Sequence, residues 1–159
     1  MLLAILHMIA KRWYVFVFLL SYLGVASLHW GWKRTLKLLV FGYFIAWASE
    51  ASSIRNGFPY GDYSYRYENM PGELCFYGVP VWDSLSYVFL SFSGYMAALF
   101  FRSRWNRFTP LQELQRSWWT VLGGAFLTML LDIVIDPVAN LGKRWFLGDI
   151  YFYPHGGLY

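Results

Sequence analysis

Four long apolar segments constrain this chain more than any other feature of its sequence. They are Trp13–Trp32, Leu38–Ile54, Leu74–Phe101 and Ser117–Val138. A helix that crosses a bilayer takes about 20 apolar residues, and an open strand edge in lipid would leave backbone groups unpaired. The sequence therefore predicts an all-α fold, a polytopic membrane helix bundle with about four transmembrane helices and aromatic Gly/Pro-rich loops on one face. All of residues 1–159 are expected to form a single integral membrane domain.

The composition supports a membrane protein. Hydrophobic residues make up 58% of the chain and charged residues 14%, whereas soluble domains average about 25% charged. The net charge of +4 is spread over loops, which excludes a clustered nucleic-acid surface and leaves no nucleic acid among the expected partners. Cys75 is the only cysteine, so the chain has neither an internal disulfide nor a cysteine-based metal site. Met1–Ala10 is too short to cross a bilayer and is expected to be a frayed or interfacial start.

Loop charges predict an orientation in the cell membrane. The links Lys33–Lys37 and Arg102–Arg116 each sum to +3, and Arg55–Glu73 sums to −1. Since cytoplasmic loops carry the excess of Lys and Arg, the first two links are expected inside and the third outside. The pair Lys11-Arg12 would then lie outside, against this rule.

Three carboxylates lie near the far ends of the second and fourth apolar segments. Glu50 is near the far end of the second segment, and Asp132 and Asp136 are near the far end of the fourth, so all three approach the same membrane face. Asp132 and Asp136 are one helical turn apart, and two carboxylates that close in a dry site cannot both ionise cheaply. One is expected to keep a proton and to serve as a general acid. The alternative is that these acids cap a helix end or pair with Arg55 or Lys143-Arg144 at the interface.

An aromatic loop follows Glu50. Its rings are expected to stabilise a carbocation through their π faces, or to donate O–H bonds to a carboxylate. The alternative is an interfacial aromatic belt. The substrate-binding residues expected here are Arg55, Phe58, Tyr60, Asp62, Tyr63 and Tyr65. Asp83 follows Trp82 near the start of the third segment, where the simpler interpretation is an acid favoured by the helix dipole.

A weak internal repeat connects the two acidic regions. Glu50 precedes one aromatic loop, and Asp132 with Asp136 precedes another at Gly148–Tyr159. In the first copy Leu74–Pro80 opens the next helix, but the chain stops where a second such helix would begin. We therefore expect a C-terminal truncation.

The motif Asp132-Ile-Val-Ile-Asp136 also has the D-x-x-x-D form. Membrane prenyltransferases use aspartate-rich helices to hold Mg²⁺ and a diphosphate. They need two such motifs with basic diphosphate ligands, and Glu50 is a poor second motif. A Mg²⁺-dependent prenyltransferase is therefore an alternative function, and a non-enzymatic carotenoid or lipid binder is another.

Three motifs in order resemble a known family. Gly57-Phe-Pro-Tyr-Gly-Asp-Tyr-Ser-Tyr65, Gly78-Val-Pro80 and Leu131-Asp-Ile-Val-Ile-Asp-Pro137 are similar to motifs of the carotenoid-biosynthesis membrane proteins. That family includes carotenoid 1,2-hydratases and bisanhydrobacterioruberin hydratases. The resemblance runs from about Phe44 to the C-terminus, and family members are longer, with a further Gly-Val-Pro-led helix.

The resemblance implies a hydratase that adds water across the terminal C1=C2 double bond of an acyclic carotenoid, with no cofactor and no metal. Glu50, Asp132 and Asp136 are then the expected catalytic residues. Asp132, with Asp136, would be the acid and Glu50 would orient water, although the two roles could be exchanged. Membrane lipid and a carotenoid are the implied partners, with a homo-oligomer or other carotenoid enzymes as further candidates.

Overall fold

The computed structural model describes residues 2–139 and 149–154, with the side chains of residues 2, 4 and 136–139 left undescribed. Within these residues the helices are α1 (Leu2–Lys11), α2 (Trp13–Trp30), α3 (Trp32–Asn56), α4 (Val81–Trp105), α5 (Leu111–Arg116) and α6 (Trp118–Ala139). A short 3₁₀ helix spans Tyr67–Asn69. The strands have two residues each: β1 (Ser64–Tyr65), β2 (Cys75–Phe76), β3 (Val79–Pro80) and β4 (Tyr151–Phe152).

The predicted all-α membrane helix bundle is confirmed. Three described helices are long and apolar enough to cross a membrane, with apolar stretches at Trp13–Trp30, Val81–Trp105 and Trp118–Ile135. The second predicted segment, Leu38–Ile54, forms most of α3, which is 25 residues long. Charged residues such as Lys37 and Glu50 reduce its apolar character, so α3 is not among those three.

Helix α4 is the centre of the bundle, because α2, α3 and α6 all pack against it. Phe92 of α4 makes edge-to-face ring contacts with Tyr22 and Trp30 of α2, at centroid distances of 5.3 and 5.0 Å. On the side facing α6, small residues let the two backbones approach closely, as is common between membrane helices. Gly94 and Gly124 lie at this contact.

The third predicted segment starts later than expected. Leu74–Pro80 was expected to open that helix, but β2 and β3 form an antiparallel hairpin there, with Cys75 opposite Pro80. Tyr77 and Gly78 form its turn with φ values of 52° and 83°, the positive values that a tight two-residue hairpin turn requires. The helix therefore begins at Val81 and runs on to Trp105.

The two aromatic loops of the proposed internal repeat meet in the structure. Strand β1 pairs with β4 in antiparallel register, with Ser64 opposite Phe152 and Tyr65 opposite Tyr151. The backbone N–H of Arg66 also donates to the carbonyl of Ile150 over 2.8 Å. This pairing brings the loop after α3 and the segment after α6 to the same end of the bundle.

The glycine contact between α4 and α6 gives a stability prediction. A Cβ on Gly124 would lie 2.7 Å from the Tyr95 Cα and 2.9 Å from its backbone nitrogen, so Gly124→Ala must push the helices apart. We expect it to destabilise the bundle by about 1–3 kcal/mol, measured by thermal unfolding of the purified protein in detergent.

Gly24→Ala is the matched control, because nothing lies within 4 Å of a Cβ added at Gly24. Alanine has the higher helix propensity, so this variant should be at least as stable as the wild type. Equal unfolding temperatures for the two variants would show that the close α4–α6 contact is not required.

Candidate active site

A cavity of about 210 Å³ lies on the face of α4 between α2 and α6. Tyr14, Val15 and Phe18 of α2 line one side, and Asp132 and Ile135 of α6 line another. Phe18 is also 52% exposed at the apolar outer face. The cavity therefore lies beside the lipid-facing surface, where an apolar ligand can reach it.

Tyrosines dominate the cavity wall. Seven of them line it among the described residues: Tyr14, Tyr60, Tyr63, Tyr65, Tyr87, Tyr151 and Tyr153. Tyr60 and Tyr87 stack with ring centroids 6.1 Å apart, and Tyr63 contacts Tyr151 and Tyr153 at 5.9 Å each. The loop rings thus form a cover over the helical part of the cavity.

Glu50 is buried directly behind this wall. Its side chain is on α3, only 1% of the residue is exposed, and its Oε2 accepts hydrogen bonds from the Tyr65 hydroxyl at 3.1 Å and the Ser84 hydroxyl at 3.2 Å. Its Oε1 is buried and accepts no hydrogen bond within the described part of the chain. A buried carboxylate oxygen without a donor is costly, so this group is a functional candidate on structural grounds as well.

The Tyr65 hydroxyl joins Glu50 to a second carboxyl group. It lies 2.7 Å from Oδ2 of Asp83 as well as 3.1 Å from Oε2 of Glu50. A phenol has one hydrogen and can donate to only one of these oxygens. The other contact is a hydrogen bond only if that carboxyl group is protonated and donates to the phenol oxygen. Glu50, Tyr65 and Asp83 are therefore arranged to share a proton.

Tyr65 itself remains a neutral donor. Burial, together with the nearby Asp83 and Glu50 carboxyls, raises the pKa of its hydroxyl well above the ordinary value. Burial likewise raises the pKa of Tyr63, with Glu50 as a further contribution. Both hydroxyls therefore stay protonated at physiological pH. Either can relay a proton only by accepting one proton while it releases another.

Asp132 reaches the cavity from α6, on a different helix from Asp83, and both side chains line it. The predicted convergence of Glu50 and Asp132 on one end of the bundle agrees with this placement. Asp136 belongs to α6, but its side chain lies outside the described residues. The role predicted for it stays a prediction.

The predicted binding residues divide into two groups. Tyr60, Tyr63 and Tyr65 line the cavity. The guanidinium of Arg55 donates instead to the carbonyls of Ala51 and Tyr77, and Phe58 is 74% exposed.

Asp62 is exposed, and its carboxylate lies beside Gly57. It is not among the described residues that line the cavity. A Cβ on Gly57 would be 2.6 Å from Asp62 Oδ1, and Gly57 ends α3 with a left-handed φ of 74°. Glycine at this position therefore allows both the helix end and the close carboxylate.

Sequence reasoning missed the role of Asp83. It does lie in the first turn of α4, as the helix-dipole interpretation predicts. It also contacts Tyr65 and lines the cavity beside Ser86 and Tyr87. The available signal was that Asp83 is the only charge in the longest apolar segment, which marks a functional residue at membrane depth.

An ion-pair cluster fixes the helix junction beside the cavity. Glu73 accepts from Lys11 at 2.9 Å, from Arg12 at 2.9 and 3.2 Å, and from the indole of Trp82. Arg12 is 3% exposed and also donates to the hydroxyl of Tyr14, a cavity residue. Glu73 thus offsets one of the two positive charges of the Lys11-Arg12 pair, a pairing that a count of loop charges does not include.

Within the described residues, no three His, Cys, Asp or Glu side chains converge as metal ligands do. The D-x-x-x-D interpretation would require Asp136, whose side chain is outside that part of the chain.

Fold and site together define a membrane helix bundle with a carboxyl- and tyrosine-lined cavity beside its apolar surface. The family described as carotenoid biosynthesis protein matches residues 2–158, so the chain belongs to that family of the carotenoid pathway. Comparison with curated proteins and with solved structures gives no match.

The Glu73 cluster predicts an acid-sensitive contribution to stability. Burial opposes ionisation, but hydrogen bonds from Arg12 and Lys11 outweigh it and lower the pKa of Glu73 below its ordinary 4.5. The stability that Glu73 contributes is therefore fully present above about pH 4.5 and is lost as the pH falls through the lower folded-state pKa. At neutral pH, Glu73→Gln should cost about 3–5 kcal/mol, because it removes the negative charge that pairs with the buried Arg12 guanidinium.

The measurement is thermal unfolding of wild type and Glu73→Gln across a pH series. The gap between their unfolding temperatures should narrow on acidification. Glu68→Gln is the control, since its partner Arg66 is 4.0 Å away and the Glu68 side chain is 68% exposed. A gap that stays constant down to the most acidic sample would contradict the assignment.

Proposed function

We propose that this protein is an intramembrane carotenoid hydratase, which adds water across the terminal C1=C2 double bond of an acyclic carotenoid end by acid catalysis. The supporting observation is that one apolar, tyrosine-lined cavity holds carboxyl groups from two helices, Asp83 of α4 and Asp132 of α6. Membership of the carotenoid biosynthesis family supports a polyene substrate. Hydration is redox-neutral, so the reaction itself calls for no redox cofactor.

The proton donor is the group formed by Glu50, Tyr65 and Asp83. Asp83 lines the cavity, while Tyr65 connects it to the buried Glu50. Asp83 gives a proton to C2, and the π electrons form the new C–H bond. Tyr65 then accepts the proton held by Glu50 and donates its own to Asp83. Asp83, which faces the cavity, is thereby protonated again.

Asp132 orients the water on the α6 side. The positive charge develops at the tertiary carbon C1, where the water oxygen forms the new C–O bond. Asp132 takes the proton that the bound water loses, and this proton returns to the donor group to complete the cycle. The sequence leaves open whether Glu50 or Asp132 is the acid and which of them orients water. In this proposal Glu50 belongs to the acid and Asp132 orients water.

The tyrosine rings suit the cationic intermediate. Ring faces attract a cation by about 0.5–2 kcal/mol each, more when water is excluded. Tyr60 stacked on Tyr87, and Tyr63 held by Tyr151 and Tyr153, present preorganised rings at the cavity. They also limit access of bulk water, so that the water held by Asp132 is the one that reacts.

We place the protein in the cell membrane as a multi-pass protein. The long helices α2, α4 and α6 support this placement. The acidic end of the bundle is assigned to the outside, because the basic links lie at the other end. The ion pairs of Lys11 and Arg12 with Glu73 are compatible with that orientation.

Three substitutions test the reaction and the site together. In cells that make lycopene, the wild type should yield a product heavier by one water, detected by mass spectrometry of the extracted pigments. Glu50→Gln, Asp83→Asn and Asp132→Asn should each lower conversion by about 10²-fold or more, the usual contribution of a general acid or base. Glu68→Gln, an exposed acid outside the cavity, should retain it.

Three other results would contradict the proposal. Lycopene recovered bound but unchanged would favour a carotenoid-binding protein, and turnover that requires a divalent metal and a diphosphate would favour a prenyltransferase. Full conversion by all three variants would show that the reaction uses other residues.

Tyr65→Phe tests the hydrogen-bonded link separately. It keeps the ring but removes the hydroxyl between Glu50 and Asp83. A hydrogen bond to a charged group is worth about 1.5–3 kcal/mol, so conversion should fall about ten- to a hundredfold.

Tyr67→Phe is the matched control, because its hydroxyl donates to the Gly78 carbonyl, outside the cavity. Conversion should be compared at equal amounts of folded protein in the membrane. Equal conversion by the two variants would exclude Tyr65 as the connection.

A further inference from the structure

A second pocket lies near the opposite end of the bundle from the carboxyl groups. It is lined by Trp30, Arg34, Tyr95, Gln112, Gln115 and Arg116. Arg34 is on α3, and at about 1.5 Å per residue it is roughly 24 Å along that helix from Glu50. This pocket is therefore separate from the candidate active site.

The rings form the pocket floor and are well fixed. Trp30 and Tyr95 make an edge contact with centroids 5.3 Å apart, and Trp30 also packs against Phe92 at 5.0 Å. The Tyr95 hydroxyl donates to the carbonyl of Gln115 over 2.9 Å, which fixes α5 against α4. The positions of the polar groups above the floor are thus set by the bundle.

Two arginines and two glutamines provide the polar part of the pocket. Neither Arg34 nor Arg116 takes part in an ion pair within residues 2–139 and 149–154. Both residues are exposed, so they can reach a ligand without breaking an internal contact. Guanidinium groups and amide N–H donors together suit a phosphate group, which accepts several hydrogen bonds and carries negative charge.

The surroundings place this pocket at the membrane interface. Exposed tryptophans occur at this end of the helices, with Trp32 57% exposed, Trp105 88% and Trp118 77%, and amphipathic rings prefer the headgroup level. Leu28, near Trp30 on α2, is 92% exposed and can contact acyl chains. The basic links Lys33–Lys37 and Arg102–Arg116 are also here, on the side expected to face the anionic cytoplasmic leaflet.

We propose that this pocket binds the phosphate of an anionic phospholipid, with Arg34 and Arg116 holding the phosphate and Gln112 and Gln115 donating to its oxygens. The lipid fills the space between the α2–α3 turn and α5 and anchors this end of the bundle in the cytoplasmic leaflet. The site does not depend on the proposed hydratase activity.

The test uses the purified protein in detergent, with dioleoylphosphatidylglycerol or dioleoylphosphatidylcholine added. Native mass spectrometry counts the lipid molecules that stay bound. The wild type should retain phosphatidylglycerol in preference to phosphatidylcholine, and phosphatidylglycerol should raise its unfolding temperature. Arg34→Gln or Arg116→Gln should weaken retention roughly fivefold each, and the double variant about thirtyfold.

Arg104→Gln with Arg107→Gln is the charge-matched control, because these arginines are in the same basic link but do not line the pocket. That variant should retain phosphatidylglycerol like the wild type. If both double variants lost phosphatidylglycerol equally, general charge attraction would account for the binding, and the proposed site would be wrong. Retention unchanged in the Arg34/Arg116 variant would also overturn it.

A measurement with inorganic phosphate alone distinguishes binding of a phospholipid headgroup from binding of free phosphate. The lipid proposal predicts little change in unfolding temperature with inorganic phosphate, because the acyl chains and the interface contribute to binding. An equal rise with inorganic phosphate and with phosphatidylglycerol would overturn the lipid assignment. Circular dichroism of each variant, showing helix content like that of the wild type, ensures that folded proteins are compared.

Discussion

The burial of Glu50 is the constraint on which the acidic end of this bundle depends. A carboxyl group that is 1% exposed inside an apolar bundle must receive hydrogen bonds from the protein, because water cannot supply them. Its own helix provides neither of the donors it has: Tyr65 comes from the loop after α3, and Ser84 comes from α4. The loop, α3 and α4 must therefore be positioned together, because a shift of any one of them would remove a donor from Oε2 of Glu50.

The pairing of β1 with β4 fixes the positions of the loop residues over the helix bundle. Residues of β1 and β4 alternate in direction, so the register that places Tyr65 opposite Tyr151 also places Ser64 opposite Phe152. Tyr63, Tyr65, Tyr151 and Tyr153 all line the cavity, as expected for alternate positions that share one face. A shift of one residue would turn the other face towards the carboxyl groups. Two short strands thus determine which rings line the cavity beside the carboxyl groups.

The sequence was sufficient for the existence of the four long helices and for the approach of Glu50 and Asp132 to one end of the bundle, because apolar length and buried charge are local signals. It was insufficient where contacts join distant segments. Asp83 was assigned to the helix dipole, since its partner Tyr65 is in a loop and shares no helical periodicity with it. The hairpin at Leu74–Pro80 was taken as helix because a short apolar run does not distinguish the two. The Lys11-Arg12 pair opposed the loop-charge rule because that rule counts charges without their partners.

The distribution of cations bears on the chemistry proposed for this end. A guanidinium beside a buried carboxyl group favours its ionised form, which cannot donate a proton. Lys11 and Arg12, at the helix junction beside the cavity, are both bound by Glu73. The donors that reach Glu50 are hydroxyl groups, which stabilise a carboxyl group without committing it to a negative charge. In the proposed mechanism Glu73 would therefore have an indirect part, because it binds Lys11 and Arg12 beside the acidic end of the bundle.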